Sequence, residues 1–247
     1  MYAGAAAEVT ERRYPPPMWM LLLACTAKSV DSSPAPMDSE PEVLRGPLAF
    51  ALPLAEPERY EQLVGVDHDP VVREGVERLI CTDYAERGFP WCYDEHEGSD
   101  YLLEDGWAVM DAGSTEVLAA ADGVVVRVED GNYDRCHGDL SSGAVSCDGH
   151  DMVANRVVLE HAGGHRSSYL HLAMDSVLVE VGEAVTCGQP LGRVGSSGNS
   201  SQPHLHFELT SAEGETVDPY AGPASQPETW WWVQGEEDGL PGTDCPG

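Results

Sequence analysis

Val117-Leu-Ala-Ala-Ala-Asp-Gly-Val-Val-Val-Arg-Val128 sets the reading of the fold. Asp122-Gly123 between two short apolar runs predicts a hairpin, because Asp and Gly tolerate the positive φ of a tight turn. The same rhythm continues downstream. Arg156–Glu160 closes at Gly163-Gly164, and Ser167–Leu172 follows. Val177, Val179 and Val181 then alternate with Leu178 and Glu180 before Gly182-Glu183, and Pro190–Val194 and His204–Leu209 complete the set. Turn signals every ~8–12 residues, without a long 3.6-period segment, predict an all-β core, an antiparallel sandwich or barrel. Upstream, residues 57–88 are expected to be partly helical. Asp69–Ile80 is the best candidate, with Asp69 as cap and Pro70 at the first helical position.

A chain of 247 residues accommodates one substantial domain plus tails. It carries 43 acidic residues against 13 basic ones, a net charge of −30, and Lys28 is its only lysine. A field this negative repels phosphate backbones and anionic membrane surfaces, which argues against nucleic acid as a partner.

Seven cysteines are present, none in a C-x-x-C pair. Cys25 stands apart. Arg12-Arg13 and the short apolar run Met18–Ala24 precede it, and Leu22-Leu23-Ala24-Cys25 resembles the lipobox of bacterial lipoproteins. The run is far shorter than the roughly 20 residues of a membrane span. The expectation is an exported protein, anchored to a membrane through lipidated Cys25 and facing the periplasm from the outer membrane, or secreted. Among the other six cysteines, short loops favour Cys81–Cys92 and Cys136–Cys147, which leaves Cys187–Cys245. Three disulfides fit an oxidising compartment. The second pair would close an acidic, Gly-rich insertion loop at Gly131–Asp151. The expected layout is a signal and lipobox segment (1–25), a disordered tether (26–45), an N-terminal extension (46–95), a catalytic core (96–222) and a C-terminal tail (223–247). Trp230–Trp232 are expected to pin that tail to the core.

Three places carry metal or proton-transfer chemistry. In His96-Glu-Gly-Ser-Asp100, a straight strand would hold the two donors about 13 Å apart, so Gly98 is expected to supply a turn that brings them together. In Pro203-His204-Leu205-His206-Phe207-Glu208, His204 and His206 share one strand face while Leu205 and Phe207 point to the core. In Tyr169-Leu170-His171-Leu172, alternation puts Tyr169 and His171 on one face. Spacing alone does not say which of His204 and His206 would bind a metal. The remaining histidines, His68, His137, His150, His161 and His165, read as loop or turn residues, and Asn155 as a strand-end residue.

The order H-x-G-x-D, Y-x-H-L and G-x-x-G-x-S-x-x-P-H-L-H-F-E, over about residues 96–210, resembles the lysostaphin-like zinc endopeptidases that cleave peptidoglycan. The resemblance implies one Zn2+ per chain held by His96, Asp100 and His206, with the fourth position left open for catalysis. It implies His204 as the proton acceptor and His171 as a stabiliser of developing charge. The implied substrate is the peptide stems and cross-bridges of peptidoglycan. Gln202 departs from the family pattern, where Gly often precedes the proline. Some relatives lose their ligands and only activate other wall enzymes, so a catalytically silent wall-binding regulator is the alternative. A lipoyl or biotin carrier is excluded, because Lys28 lies outside any hairpin turn. A histidine phosphotransfer domain would need neither Asp100 nor three disulfides.

Overall fold

Alternation of buried and exposed side chains along short strands builds one large sheet, which frames the molecule. The computed structural model describes residues 45–113, 115–139, 144–236 and 239–246. The segment read as a lipobox, with Cys25, and most of the stretch expected to be a tether (26–45) lie outside the described residues. The elements are β1 (Arg45–Phe50), β2 (Tyr60–Val64), β3 (Ser99–Leu103), α1 (Gly106–Ala112), β4 (Glu116–Leu118), β5 (Gly123–Glu129), β6 (His137–Asp139) and β7 (Ala144–Ser146). They continue with β8 (Asn155–Glu160), β9 (Arg166–Leu172), β10 (Ala184–Val185), β11 (Pro190–Arg193), β12 (His204–Thr210), β13 (Thr216–Val217) and β14 (Thr229–Trp231). The main sheet runs β10-β5-β8-β9-β12-β3-β2, with β13 paired to β12, and every pairing in it is antiparallel. A second sheet pairs β11 with β4. β6 and β7 form a hairpin within the insertion loop.

The core lies on the inner face of this sheet. Val125, Val157, Leu159, Tyr169, Leu172, Leu191, Leu205 and Phe207 are all within 1% of complete burial. Each such side chain contributes about 1.5–3 kcal/mol through loss of its water-exposed surface. Trp231 is fully buried, and β14 pairs with β1, so the tail is held against the body. That pairing is parallel, unlike the rest. The disulfides are Cys81–Cys92 and Cys136–Cys147, the two pairs that short loops favoured, and Cys187–Cys245, the pair those two leave.

Several local expectations give way to packing. Asp122-Gly123 makes no hairpin: β4 pairs with β11, whereas β5 pairs with β8 and β10. Ala119–Ala121 cross between the sheets, fixed by bonds from Ala51 N to Ala120 O (2.8 Å) and from Ala120 N to the Tyr169 hydroxyl (2.8 Å). Gly123 is there for space, since a Cβ would lie 2.9 Å from His161 Nδ1.

Asp69–Ile80 is not an α-helix. Only a 3-10 turn forms, at Gly75–Leu79. Asp69 accepts from Val71 N (3.0 Å) and pairs with Arg73 (2.9 Å), which closes a local turn instead of starting a helix. Val71, Val72, Val76, Leu79 and Ile80 are all at least half exposed. A short helix with no buried face lacks the tertiary packing that stabilises it.

Val177–Glu180 forms no strand, and Val181 already belongs to the following turn. Val179 is buried, while Leu178 and Val181 face solvent. The α-helix that does form, α1, is one the sequence reading missed; at seven residues it is too short to show a period.

Candidate metal centre

The antiparallel register of β3 and β12 sets Asp100 directly opposite His206. His206 Nδ1 lies 2.8 Å from Asp100 Oδ1. His96 enters from the segment just before β3, where Glu95 has a φ of 62° and bends the chain. His96 Nε2 is then 3.3 Å from His206 Nδ1 and 3.2 Å from Asp100 Oδ1. Among the described residues, this is the group of His, Asp, Glu or Cys donors close enough to hold a metal ion. His96 and Asp100 are 3% and 6% exposed, so the buried carboxylate is compensated by the surrounding imidazoles or by a cation rather than by water.

Gly98 has a role other than the turn expected of it. Its backbone is not in the left-handed region, but a Cβ would lie 2.7 Å from His206 Cε1, His206 Nε2 and Phe207 O. The motif needs glycine because the His206 ring occupies that space.

His204 and His206 share the outer face of β12, while Leu205, Phe207 and Leu209 are buried beneath. His171 reaches the same place by a different route. Regular alternation would put it beside Tyr169 in the core, and that expectation is wrong. His171 has a φ of 64°, and the pairing slips by one residue between Arg156↔Leu170 and Asn155↔Leu172. This bulge turns the imidazole outward, 4.6 Å from the His204 ring and 5.8 Å from the His206 ring by centroids. Tyr169 stays in the core against Phe207.

Three backbone carbonyls fix the tautomers. Nδ1 of His96 bonds Gly65 O (2.7 Å), that of His204 bonds Gln202 O (2.7 Å), and that of His171 bonds Ser197 O (2.7 Å). A carbonyl oxygen only accepts, so each Nδ1 carries the proton and each neutral ring keeps its Nε2 lone pair for the site. Burial works against a charged His204, but the Asp100 carboxylate outweighs it and holds the pKa above the ordinary value. His171 goes the other way: burial, then the neighbouring His204 and His206, push it well below. One ring is thus a better base than free imidazole, and the other is a neutral one.

The structure brings His96, Asp100, His171, His204 and His206 together. His68, His137, His150, His161 and His165 do not join them; His68 pairs with Asp218 (2.8 Å) and His161 bonds Asp122 O (2.7 Å). Asn155 is structural, with Nδ2 on the carbonyls of Asn132 and Leu172 (3.0 and 3.1 Å). Sequence reasoning missed Gly65 and Ser197. Both act through main-chain oxygens, which no side-chain pattern signals.

The peptidase family M23 model matches residues 102–219. The match begins just after Asp100, so the first donor motif rests on geometry. Residues of this chain are 31% identical over 114 positions to the peptidoglycan DD-endopeptidase ShyA of Vibrio cholerae, covering 46% of this chain and 20% of that protein. They are 34% identical over 114 positions to the murein hydrolase activator EnvC of Escherichia coli, covering 46% and 22%. The chain thus spans about a fifth of the length of these curated relatives. A zinc-containing peptidase from Vibrio cholerae aligns with a TM-score of 0.44 at 24% identity, covering 69% of this chain and 39% of that one.

Proposed function

We propose that this chain is a zinc-dependent endopeptidase that hydrolyses peptide cross-links of bacterial peptidoglycan, a reading supported by the match of the peptidase family M23 model to residues 102–219. The observation that carries this is the donor triangle of His96, Asp100 and His206, with edges of 3.3, 2.8 and 3.2 Å. Zinc bonds of about 2.0–2.2 Å at tetrahedral angles imply edges of about 3.3–3.6 Å; the two His96 edges match, and the hydrogen-bonded His206–Asp100 edge of 2.8 Å is shorter. Two imidazoles and one carboxylate are a donor set that suits Zn2+, and three protein ligands leave a position for chemistry. One bound zinc would supply Lewis acidity for the scissile carbonyl and a lowered pKa for water.

The residues of the chain do the rest. His204 accepts a proton at Nε2 from the attacking water, aided by Asp100, whose Oδ1 is 3.5 Å away and favours the imidazolium. His171 is held neutral by burial and offers its ring beside the developing oxyanion. The presence of all five residues supports an enzyme over a silent regulator. We further propose that the chain is exported and tethered through Cys25, with residues 96–222 as its catalytic core.

The test is incubation of the disulfide-intact chain with purified diaminopimelate-type and glycine-bridged walls, followed by mass spectrometry of released fragments. New amine termini that disappear with chelator, return with zinc and are absent with His204→Ala establish the activity and name the bond. Tight zinc binding without cleavage of either wall would instead support the regulator.

A further inference from the structure

The outer face of the main sheet continues beyond the metal donors into a groove of about 410 Å³. Arg127, Arg156, Arg166, Ser168, Glu208 and Thr210 are among the residues that line it. We propose that Arg127, Arg156 and Arg166 form a carboxylate-binding subsite for an acidic peptide substrate. This rests on the endopeptidase reading above and adds a substrate feature to it.

The strand register fixes the placement. Asp100, His206, Leu170, Arg156 and Glu129 stand opposite one another in a single row across β3, β12, β9, β8 and β5. The next row runs Glu208, Ser168, Val158 and Arg127, and the one after it contains Thr210, Arg166 and Glu160. Strands lie about 4.8 Å apart, so Arg156 is about 10 Å from His206 along its row. An extended peptide advances about 3.3 Å per residue. Arg156 thus stands about three residues of extended peptide from His206, with Arg127 one row and Arg166 two rows further on.

Charge selects the ligand class. Acidic residues outnumber basic ones 43 to 13, yet three arginines and Glu208 share this groove. An anionic peptide is repelled by most of the surface, and three of the thirteen basic residues are gathered in this one groove. Guanidinium groups present planar forks that match a carboxylate in two-point contact.

Glutamates hold the forks in place without saturating them. Arg127 Nε bonds Glu129 Oε1 (3.0 Å), Arg156 Nε faces Glu129 Oε2 (2.9 Å), and Arg166 bonds Glu160 Oε2 through Nε (3.1 Å) and Nη2 (2.8 Å). The Arg127 and Arg166 side chains are 53% exposed, and exposed pairs of this kind are weak. Each guanidinium has five donors, so capacity remains for a ligand.

The test measures binding by the full, zinc-loaded chain, with turnover blocked by His204→Ala in every arm. The probes are one fluorescent cross-linked stem peptide in three forms: all carboxylates free, the in-chain acid amidated, or the terminal carboxylate amidated. The expected result is about tenfold weaker binding of one amidated form, which identifies the carboxylate. Arg156→Gln/Arg166→Gln should weaken the free form by the same factor and leave that amidated form unchanged. Arg156→Lys should recover part of the loss, because it keeps the charge without the fork. Arg127→Gln, at an exposed position, gives a second measure should the double variant melt early. Equal binding of all three forms, or full-affinity binding by the folded variants, would overturn the subsite. Failure of the unblocked wild type to cleave any wall would instead overturn the endopeptidase reading, because this binding comparison does not depend on turnover.

Discussion

Asp100 and His206 are 106 residues apart in sequence and face each other across β3 and β12, with Asp100 Oδ1 2.8 Å from His206 Nδ1. Antiparallel register alone creates this pair. Whatever shifts the register, or moves the His206 ring, dismantles the centre.

Gly98→Ala is the smallest such change. The new methyl carbon would lie 2.7 Å from two atoms of the His206 ring and from the Phe207 carbonyl. Zinc affinity should fall by about 10–100-fold, in the range seen when the support of a ligand is lost. Stability should fall by about 1–3 kcal/mol from overpacking. Competition against a chromogenic chelator and a denaturant melt measure the two effects separately. Wild-type zinc affinity in the variant would show that the ring has room to move.

His204→Ala and His171→Ala should separate chemistry from metal binding. Neither belongs to the donor triangle, so zinc stoichiometry should remain one per chain. Turnover should drop by about 10²–10⁴-fold in each case, the usual contribution of a positioned proton-transfer group. Loss of zinc from His171→Ala would place that residue among the ligands and contradict the assignment.

The insertion loop supports the site from behind. Cys136 N donates to Ser196 O (2.9 Å) and Ser196 Oγ donates to Cys136 O (2.6 Å), one residue before the Ser197 carbonyl that fixes His171. Replacing Cys136 and Cys147 by serine should cost about 2–4 kcal/mol. Turnover should fall further than stability alone predicts, while zinc affinity holds. Thermal melts read beside kcat on the folded fraction decide this; an unchanged kcat would uncouple the loop from catalysis.

His161 gives a pH signature distant from the metal. It is 6% exposed, with Nδ1 bonded to Asp122 O and Nε2 2.7 Å from Ser167 Oγ, and burial lowers its pKa below 6.5. Below that pH the unfolded chain takes up a proton that the folded chain refuses, so stability is present above pH 6.5 and falls as pH drops toward the folded pKa. Denaturant melts from about pH 7.5 down to about pH 5 should show a smaller loss in His161→Gln than in wild type. Equal slopes would mean that this ring titrates normally.

Much of the fold was legible because its cause is local. Leu205 and Phe207 bury beneath His204 and His206, as two-residue alternation requires. Two of the disulfides follow from loops of 11 residues, and the third is the pair that remains. Expectations failed where a partner from far along the chain decides: Gly123 yields to His161, Gly98 to His206, and Asp69–Ile80 finds no apolar surface on which to lay a helix.

The sequence by itself determined the residue types, the β-rich rhythm and the three motifs that converge. Those are properties of a few neighbours: alternation, turn chemistry and donor identity. Only the tertiary structure decided which atoms meet. It set Asp100 against His206 by register, swung His171 out of the core through one residue in the left-handed region, and chose the Nε2 lone pairs by placing Gly65, Gln202 and Ser197 carbonyls behind three rings. The physical reason is that hydrogen bonds and close packing act over a few ångströms in space, between atoms that the chain separates by tens of residues.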